Sequence, residues 1–224
     1  MKHSLLLVTT GEISLYIIDA RIALKESLSQ LLEKYPIGSI SVIQIAIHCG
    51  VSTRTFYNYF TDKYDLMHFL YYYETENIWF TGGKLRACEE AFILLYRRWR
   101  KLYNQLSNCY SYVGQNDMRS FVVREIFSAL YRLVICNREE RLLQDSHNVE
   151  ALYLMALAIQ SAHEELLKRS RLITLHADVF CSIIPGHLYN AITKTPPTPY
   201  PEEVEIFNPE KPSWPPKFYY YTGK

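Results

Sequence analysis

The residues best suited to chemistry form a polar set within the stretch SVIQIAIHCGVSTRTFYNYFTDKYDL, residues 41–66. Hydroxyl, amide and phenol groups accompany one guanidinium there, and a guanidinium can bind a guanine edge through two hydrogen bonds. Lys63 opens a further predicted helix, where its ammonium and the free backbone N–H groups can bind a phosphate. These residue types indicate a surface that reads nucleic acid. The set comprises Thr53, Arg54, Thr55, Tyr57, Asn58, Tyr59 and Lys63.

A short helix must precede this polar set. Ser41 is followed three residues later by Gln44, which is the spacing of a capping box, so a helix is predicted to begin at Val42. Gly50 stands where a helix typically ends in a left-handed residue. The pattern therefore predicts one helix that runs from Val42 to a sharp turn at Gly50.

A second helix should then present the polar side chains. Ser52 can cap it, and it is predicted over about 53–59. Ala46 is small enough to let the two helices approach, and Phe56 is large enough to fill the space between them. Together with the turn at Gly50, this spacing is typical of a helix-turn-helix.

At this point the stretch resembles the DNA-binding motif of the tetracycline-repressor (TetR/AcrR) family of bacterial regulators. The A-x-x-x-G-V-S turn, the T-F-Y-x-(H/Y)-F recognition helix and the x-D-K-x-x-L segment are all present, and the similarity is dense over residues 20–70. Together with YVGQNDMRSFV, residues 112–122, it further resembles the branch that contains the dihydroxyacetone-kinase operon activators (DhaS-like). The resemblance implies that Thr53, Arg54, Thr55, Tyr57 and Asn58 face the major groove, while Ser41, Tyr59 and Lys63 hold the DNA backbone.

The rest of the chain is predicted to be all-α, because apolar residues recur at helical spacing and almost nothing alternates with period two. We expect an N-terminal three-helix helix-turn-helix domain at 1–65 and a C-terminal helical domain for effector binding and dimerisation at 66–193. The predicted helices span residues 19–35, 62–80, 84–107, 118–136, 148–169 and 172–192.

The segment 194–224 contains eight of the ten prolines and is predicted to be an extended, proline-rich tail. Its aromatic residues, among them Trp214 and Phe218, make it too apolar for a purely solvated linker. We interpret it as a segment that lies along its own body or along a dimer mate. A disordered tail is the alternative interpretation.

Aromatic residues are concentrated in 71–131, where two interpretations remain open. They form either a bulky helical core or the walls of a cavity for a small planar or amphipathic effector. The family resemblance favours a ligand cavity, although in the DhaS-like branch a protein partner can deliver the signal instead. The candidate effector-pocket residues are Trp79, Phe92, Tyr96, Trp99, Tyr103, Phe127 and Tyr131.

The last two predicted helices carry an apolar stripe, and the resemblance implies that such a pair forms a four-helix interface with its twin. A symmetric dimer would present two recognition helices to the two half-sites of a palindrome. The chain itself is therefore an expected partner, beside double-stranded operator DNA and an effector. The candidate interface residues are Leu152, Met155, Ala156, Ile159 and Leu166.

Composition narrows the function classes. The net charge is only +1, and residues 19–65 carry five basic and five acidic side chains, so any affinity for DNA must be local. The five cysteines form no CxxC pair, and the histidines lack the spacing of metal ligands. Neither a glycine-rich phosphate loop nor a catalytic constellation is recognisable. We therefore expect a protein that is not an enzyme and that has no metal and no cofactor.

The sequence has no run of eighteen apolar residues, and its N-terminal apolar stretch is too short for a signal peptide. We expect a soluble, cytoplasmic protein without a membrane partner. Two functions remain open: a TetR-like transcription regulator that binds its operator as a homodimer, and a partner-dependent co-activator or protein-interaction module with weak DNA binding of its own.

Overall fold

The computed structural model describes residues 10–81, 84–169, 184–197 and 200–201 of the 224-residue chain. Within these residues the fold is all-α, apart from one short hairpin and two turns of 3-10 helix. The helices are α1 Thr10–Leu32, α2 Val42–Cys49, α3 Thr53–Tyr57, α4 Lys63–Trp79, α5 Cys88–Lys101, α6 Tyr103–Tyr110, α7 Met118–Cys136, α8 Ser146–Arg169 and α9 Gly186–Thr193. The 3-10 segments are Ile37–Ser39 and Glu140–Gln144.

Most of the predicted helices are present, and their limits have local causes. The Asp117 side chain accepts a hydrogen bond from the Ser120 backbone (2.8 Å) and starts α7 at the predicted residue. Likewise, the Asp62 side chain accepts bonds from the backbone N–H groups of Tyr64 and Asp65 and starts α4 (2.8 Å each). Caps of this kind satisfy N–H groups that have no partner inside the helix.

Three predicted helix limits were wrong or incomplete. The first helix begins at Thr10 rather than at residue 19, and it ends at Leu32 rather than at residue 35, so that Tyr35 lies outside it and is exposed. The predicted helix at 84–107 is two helices, α5 and α6, which meet at Leu102. Of the predicted helix at 172–192, the part up to residue 183 lies outside the described residues.

A two-stranded antiparallel hairpin follows α4, which period-two analysis did not predict. Its strands are Phe80–Thr81 and Lys84–Leu85, with Phe80 opposite Leu85. The Arg86 backbone N–H then donates to the Trp79 carbonyl (2.8 Å), which closes the turn back onto the end of α4. Two-residue strands are too short to show an alternating pattern in the sequence.

The core is centred on α7, whose side chains are buried around almost the whole helix. Helix α8 packs along one side of α7, and α4 packs against α1, α5 and α7. An Arg132–Glu76 ion pair lies inside this core between α7 and α4, and both side chains are buried. The Arg132 guanidinium is also close enough to influence the buried Glu125, whose pKa is raised chiefly by burial. Helix α4 is therefore tied to the core by charge as well as by apolar contact.

Polar contacts also join the N-terminal helices to the rest of the bundle. The Glu74 carboxylate of α4 binds Lys25 of α1 (2.8 Å) and Arg98 of α5 (2.6 Å). The Asn108 side chain of α6 donates to the Leu32 carbonyl at the end of α1 (2.8 Å). These contacts join α1 directly to α4 and α6. A movement of either helix would therefore also displace α1.

The described start of the predicted tail lies against the body. The Leu85 backbone N–H donates to the Tyr200 hydroxyl, and the Asn137 side chain donates to the Lys194 carbonyl (3.3 Å). Tyr200 packs on the core, and Pro201 is buried. The aromatic residues Trp214 and Phe218, on which the anchoring interpretation rested, lie outside the described residues.

Candidate nucleic-acid interface

The helix-turn-helix is built from the local contacts that the sequence predicts. The Ser41 hydroxyl accepts from the Gln44 backbone (3.2 Å), and the Gln44 side chain accepts from the Ser41 backbone (2.8 Å), which is a complete capping box. Gly50 ends α2 in the left-handed conformation, with φ of +78°. A side chain is strained at this φ, so the turn favours glycine here.

The second helix is set by its own cap and by one buried aromatic side chain. The Ser52 hydroxyl accepts from the Thr55 backbone (3.0 Å) and lies 2.9 Å from the Thr55 hydroxyl. Phe56 is fully buried, with its ring centre 5.8 Å from that of Phe60, and Ala46 is 1% exposed, as the spacing predicts. Helix α3 ends at Tyr57 rather than near residue 59.

The side chains that are predicted to face the major groove lie on the solvent-exposed side of the helix-turn-helix. Thr53, Arg54, Tyr57 and Asn58 are exposed, and Tyr57 retains 59% of its accessible surface. Thr55, in contrast, is half-buried, and its hydroxyl is hydrogen-bonded to that of Ser52. A short helix with exposed hydroxyl, phenol, amide and guanidinium groups can donate and accept hydrogen bonds in a major groove.

The three residues predicted to hold the DNA backbone are placed differently from one another. Ser41 is exposed at the N-terminus of α2, where the first backbone N–H groups have no partner inside the helix. Tyr59 is half-buried and packs partly on the core. The Lys63 ammonium donates to the carbonyls of Gly38 (3.0 Å) and Ile40 (2.7 Å).

Lys63 therefore has a structural role that the sequence did not reveal. Its two hydrogen bonds tie the first turn of α4 to the segment between α1 and α2. Burial lowers the pKa of Lys63, and Asp62 opposes that shift. One of the three ammonium protons is left over from these two bonds and is the one that a phosphate would have to use.

Few cations of this domain point to solvent. Lys25 is 2% exposed and is paired with Glu74, while the Arg21 guanidinium lies 5.2 Å from the centre of the Phe69 ring. Burial lowers the pKa of Arg21. Of the five basic residues in 19–65, Lys34 and Arg54 are the exposed ones. The domain thus offers DNA a small, local positive charge.

Helix α2 also exposes two isoleucines beside the polar surface. Ile43 retains 60% and Ile47 retains 74% of its accessible surface, and the two residues are four apart on one face. Neither belongs to the inner face formed by Ile45 and Ala46, both of which are buried. An exposed apolar pair of this kind can contact either the methyl and sugar groups of DNA or another protein.

The candidate effector-pocket residues all lie in or against the hydrophobic core. Trp79, Phe92, Trp99 and Phe127 are buried, and the other three pack partly against the core. Two placements stand out. The Tyr103 hydroxyl donates to the Leu167 carbonyl of α8 (2.8 Å), and Phe127 contacts Tyr131 (5.8 Å) and Tyr153 (5.9 Å) between ring centres.

Three residues that were not among the predicted site residues, His163, Tyr110 and Tyr71, contact Trp99 or its neighbours. The His163 ring stacks on Trp99 at 3.7 Å, the Tyr110 hydroxyl lies 3.1 Å from His163 Nδ1, and Trp99 Nε1 donates to the Tyr71 hydroxyl (3.1 Å). A signal was present, because His163 continues the inward period of Leu152, Ala156 and Ile159 along α8.

Four of the five candidate dimer-interface residues are buried within the protomer. Leu152, Met155, Ala156 and Ile159 are at most 1% exposed, because this face of α8 packs within its own protomer. The side chain of Leu166 lies outside the described residues. The apolar residues that α8 does expose are Tyr153 (47%), Leu154 (63%) and Leu157 (36%). Both faces of the helix are apolar, so periodicity alone could not tell which one faces inward.

In the described part of the chain, no cluster of three or more His, Cys, Asp or Glu side chains is placed to hold a metal ion. Of the helices described, none is both long and apolar enough to cross a lipid bilayer.

Comparison with known proteins agrees with this geometry. Residues 27–69, which contain the whole helix-turn-helix, match the model of a family described as bacterial regulatory proteins, tetR family. The solved structure of a dihydroxyacetone kinase operon activator, DhaS, is similar to the fold, with a TM-score of 0.54 at 15% identity. That likeness covers 80% of this chain and 98% of the activator. No curated protein matches the sequence.

Proposed function

We propose that this chain, which carries the tetR-family N-terminal domain at residues 27–69, is a transcription regulator that binds a palindromic operator as a homodimer under the control of an effector. The observation that carries the proposal is the capped helix-turn-helix, whose second helix turns polar side chains to solvent. In this proposal, residues 1–65 bind DNA and residues 66–193 bind the effector and form the dimer. Residues 194–224 form a tail that packs along the body of the protein.

Recognition of the DNA sequence is assigned to α3, the second helix of the helix-turn-helix. Arg54 is exposed and long enough to bind a guanine edge bidentately, while Thr53, Tyr57 and Asn58 offer shorter hydrogen-bonding groups. Thr55 is assigned a weaker role, because its hydroxyl is already bonded to Ser52. These contacts would fix the sequence of each half-site.

Backbone binding is assigned to the ends of the neighbouring helices. The N-terminus of α2 at Ser41 is exposed, and free N–H groups at such an end favour a phosphate. Tyr59 can donate its hydroxyl, and Lys63 can add its remaining ammonium proton. Because these groups contact phosphates, they would position the protein without selecting a sequence.

Dimerisation is assigned to the exposed face of α8. Tyr153, Leu154 and Leu157 form a side-chain cluster that is apolar, solvent-facing and continuous over more than one helical turn. A symmetric dimer would bury this face and would present two copies of α3 to two half-sites. Leu154→Glu should convert the dimer to a monomer in sedimentation equilibrium. Val113→Glu, the same kind of change at an exposed apolar residue between α6 and α7, should leave it dimeric.

Effector control is assigned to the bundle around α4. Trp79, Trp99 and Tyr71 place aromatic side chains on or against this helix, and α4 begins beside the recognition helix at Lys63. A ligand that binds one position of α4 better than another would shift the spacing of the two recognition helices. DNA binding and ligand binding would then be linked equilibria.

The test is selection of bound DNA from a random pool by the purified protein at low salt. An enriched inverted repeat would support a dimeric regulator and would supply its operator. Absence of enrichment from a folded, dimeric protein would contradict autonomous DNA recognition. Low salt is essential, because the few exposed cations should give a weak electrostatic contribution.

The small number of exposed cations also supports a second candidate function. With Lys34 and Arg54 as the exposed cations of residues 19–65, and with Ile43 and Ile47 exposed on α2, the domain is suited to binding DNA together with a protein partner. In that case the protein would be a partner-dependent co-activator. It would shift operator DNA only when a second protein is added, which distinguishes the two candidates in one gel-shift experiment.

A further inference from the structure

An aromatic layer crosses the middle of the bundle from α4 to α8. His68 stacks on Phe121 (4.2 Å between ring centres), and Phe121 lies edge-on to Tyr71 (6.1 Å). The Tyr71 hydroxyl accepts from Trp99 Nε1 (3.1 Å), and Trp99 stacks on His163 (3.7 Å, with 7° between the ring planes). The layer thus connects α8 to α4, the helix that starts beside α3.

His163, at the α8 end of this layer, is fully buried and has one hydrogen-bonding atom to spare. Its Nδ1 lies 3.1 Å from the Tyr110 hydroxyl, whereas its Nε2 has no hydrogen-bond partner among the described residues. A buried polar atom without a partner costs free energy comparable to a lost hydrogen bond. An external acceptor that reached Nε2 would recover this free energy.

The proton on His163 is assigned by its neighbours. Burial raises the pKa of Tyr110, and a hydrogen bond with the Gln160 side chain opposes that rise, so the amide donates to the phenol oxygen. With the Tyr110 O–H as the donor to His163 Nδ1, the imidazole proton would lie on Nε2, and this is the tautomer that the proposal below requires. Burial lowers the pKa of His163 to about 3, so the ring is neutral. In this tautomer the spare atom is an N–H donor that needs an acceptor.

A second unpartnered atom lies on the helix that faces His163. Tyr103, Ser107 and Tyr110 share one face of α6, and the first and last of them contact α8 at Leu167 and His163. Ser107 Oγ is buried and has no hydrogen-bond partner in the described part of the chain. The seam between α6 and α8 thus holds two unsatisfied polar atoms between aromatic side chains.

The nearby charges are already paired with each other. Glu164 binds Arg119 through two 3.0 Å hydrogen bonds and also Lys168 (3.1 Å). The hydrogen bond from Arg119 is the main reason why the pKa of Glu164 is lowered to about 2. A charged ligand would have to enter this seam without a counterion, which is strongly unfavourable. The chemistry favours an uncharged molecule.

We propose that His163 is the specificity residue of the effector site, where it donates its Nε2 proton to the oxygen of a small, uncharged, mainly apolar ligand. The ligand would move the His163–Trp99 stack, and the Trp99–Tyr71 hydrogen bond would pass that movement to α4. The DNA consequence rests on the proposed regulator function, but ligand binding is measurable without DNA.

The first experiment uses matched pairs of probes that differ only in the oxygen. Acetophenone is compared with α-methylstyrene, and cyclohexanone with methylenecyclohexane, on the full chain carrying Trp79→Phe and Trp214→Phe, and the same affinities are measured by calorimetry on the unsubstituted chain, because Trp79 belongs to the proposed effector bundle. In the substituted chain Trp99 is the sole tryptophan, and its fluorescence reports the stack with His163. Histidine with 15N-labelled rings reports the Nε2 proton directly. Each ketone should bind at least tenfold more tightly than its hydrocarbon partner and should shift the His163 Nε2–H resonance.

Variants of His163 separate a ligand contact from a packing role. His163→Phe keeps a ring against Trp99 but has no donor, so it should abolish the preference for ketones and retain the binding of hydrocarbons. His163→Gln restores an N–H donor and should restore part of the preference. Equal or absent binding of ketones and hydrocarbons would overturn the proposal. An Nε2 proton that is already hydrogen-bonded in the free protein, to water or to another part of the chain, would overturn it as well.

Coupling to DNA is tested with the operator obtained by selection. A ketone that changes operator affinity tenfold in the parent should change it less than twofold in Tyr71→Phe, although it still alters Trp99 fluorescence. Trp99→Phe, which keeps an aromatic ring but removes the Nε1–H donor, should have the same effect. A tenfold response that survives in both variants would overturn the coupling route. If no DNA is bound at all, the regulator proposal fails, whereas the ketone preference still decides the ligand proposal.

Discussion

The helix-turn-helix surface and the interior of the α4–α8 bundle use polar groups in opposite ways. Around α2 and α3, polar side chains are exposed and are held by bonds to residues three positions away, as in the pairs Ser41–Gln44 and Ser52–Thr55. In the bundle, Arg132 meets Glu76 across 56 positions, and both are buried. The first arrangement leaves hydrogen-bonding capacity for an external partner, whereas the second uses it to join distant helices.

This difference predicts where a substitution harms binding and where it harms stability. A polar group on the α3 surface can be removed without leaving a buried partner unsatisfied. A polar group in the bundle cannot, because its partner then remains buried without compensation. Substitutions in the two regions should therefore separate into effects on DNA affinity and effects on unfolding.

The largest effect is expected from the buried ion pair. Glu76→Ala leaves Arg132 without its main partner and should lower the free energy of unfolding by ~3–5 kcal/mol in a urea titration. Glu26→Ala removes an exposed partner of Lys25 and should cost less than ~1 kcal/mol, since Glu74 remains in place. Equal losses in the two variants would contradict the contrast between interior and surface.

A pH titration tests the same contrast with the two buried histidines. Burial lowers the pKa of His163 to about 3 and that of His68 to about 4, where Arg124 also contributes and the nearby Asp62 and Asp65 oppose the shift. An unfolded histidine titrates near ~6.5, so below that pH the unfolded chain binds more protons than the folded one. Stability should fall on acidification through this window, by up to ~1.4 kcal/mol per pH unit for each histidine.

Between roughly pH 5 and 7 the unfolded histidines titrate, whereas Glu125, whose pKa is raised by burial, contributes a slope of opposite sign that the parent and the histidine variants share. His163→Gln should make the dependence of unfolding free energy on pH clearly shallower. An unchanged slope in His163→Gln would mean that His163 does not titrate as a buried neutral group.

On the surface, Arg54→Ala should act on DNA binding alone. It should cost ~1–3 kcal/mol of binding free energy at one base position and relax the sequence preference there. The free energy of unfolding should change by less than ~0.5 kcal/mol, because the side chain is exposed. Fluorescence anisotropy on the selected operator and on its single-base variants measures the first quantity. If the preference is unchanged at every position, Arg54 does not read a base.

Lys63 belongs to both regions, and its substitution should show a smaller, mixed effect. Lys63→Met removes hydrogen bonds to the Gly38 and Ile40 carbonyls and should lower the free energy of unfolding by ~1 kcal/mol. A phosphate contact by the third ammonium proton would also weaken binding to all sequences alike and reduce the salt slope by ~0.9. Lys34→Met, at an exposed lysine of the same domain, is the control for stability. A stability loss with an unchanged salt slope would assign Lys63 to structure alone.

The parts of the fold that could be predicted depend on contacts within about four residues. The capping box at Ser41, the left-handed Gly50, the Ser52 cap and the limits of α7 follow from neighbouring residues. Such contacts join residues that are neighbours in the sequence, so the sequence carries them directly. The all-α class follows in the same way from the helical period of the apolar residues.

The parts that could not be predicted depend on which surfaces meet. Helix α8 carries apolar residues on two faces, and only packing against α7 decides that Leu152 is buried while Leu154 is exposed. The same packing buries His163 against Trp99 and leaves its Nε2 without a partner among the described residues. Likewise, Lys63 bonds the Gly38 carbonyl only because α4 returns to the segment after α1.

The sequence by itself therefore determined the helix-turn-helix, its polar face and the all-α class, since short-range hydrogen bonds and side-chain periodicity are local properties. The tertiary structure decided the orientation of α8, the second role of Lys63 and the position of the buried histidine. Burial and long-range pairing depend on residues far apart in the chain, and only the packed bundle brings those residues together.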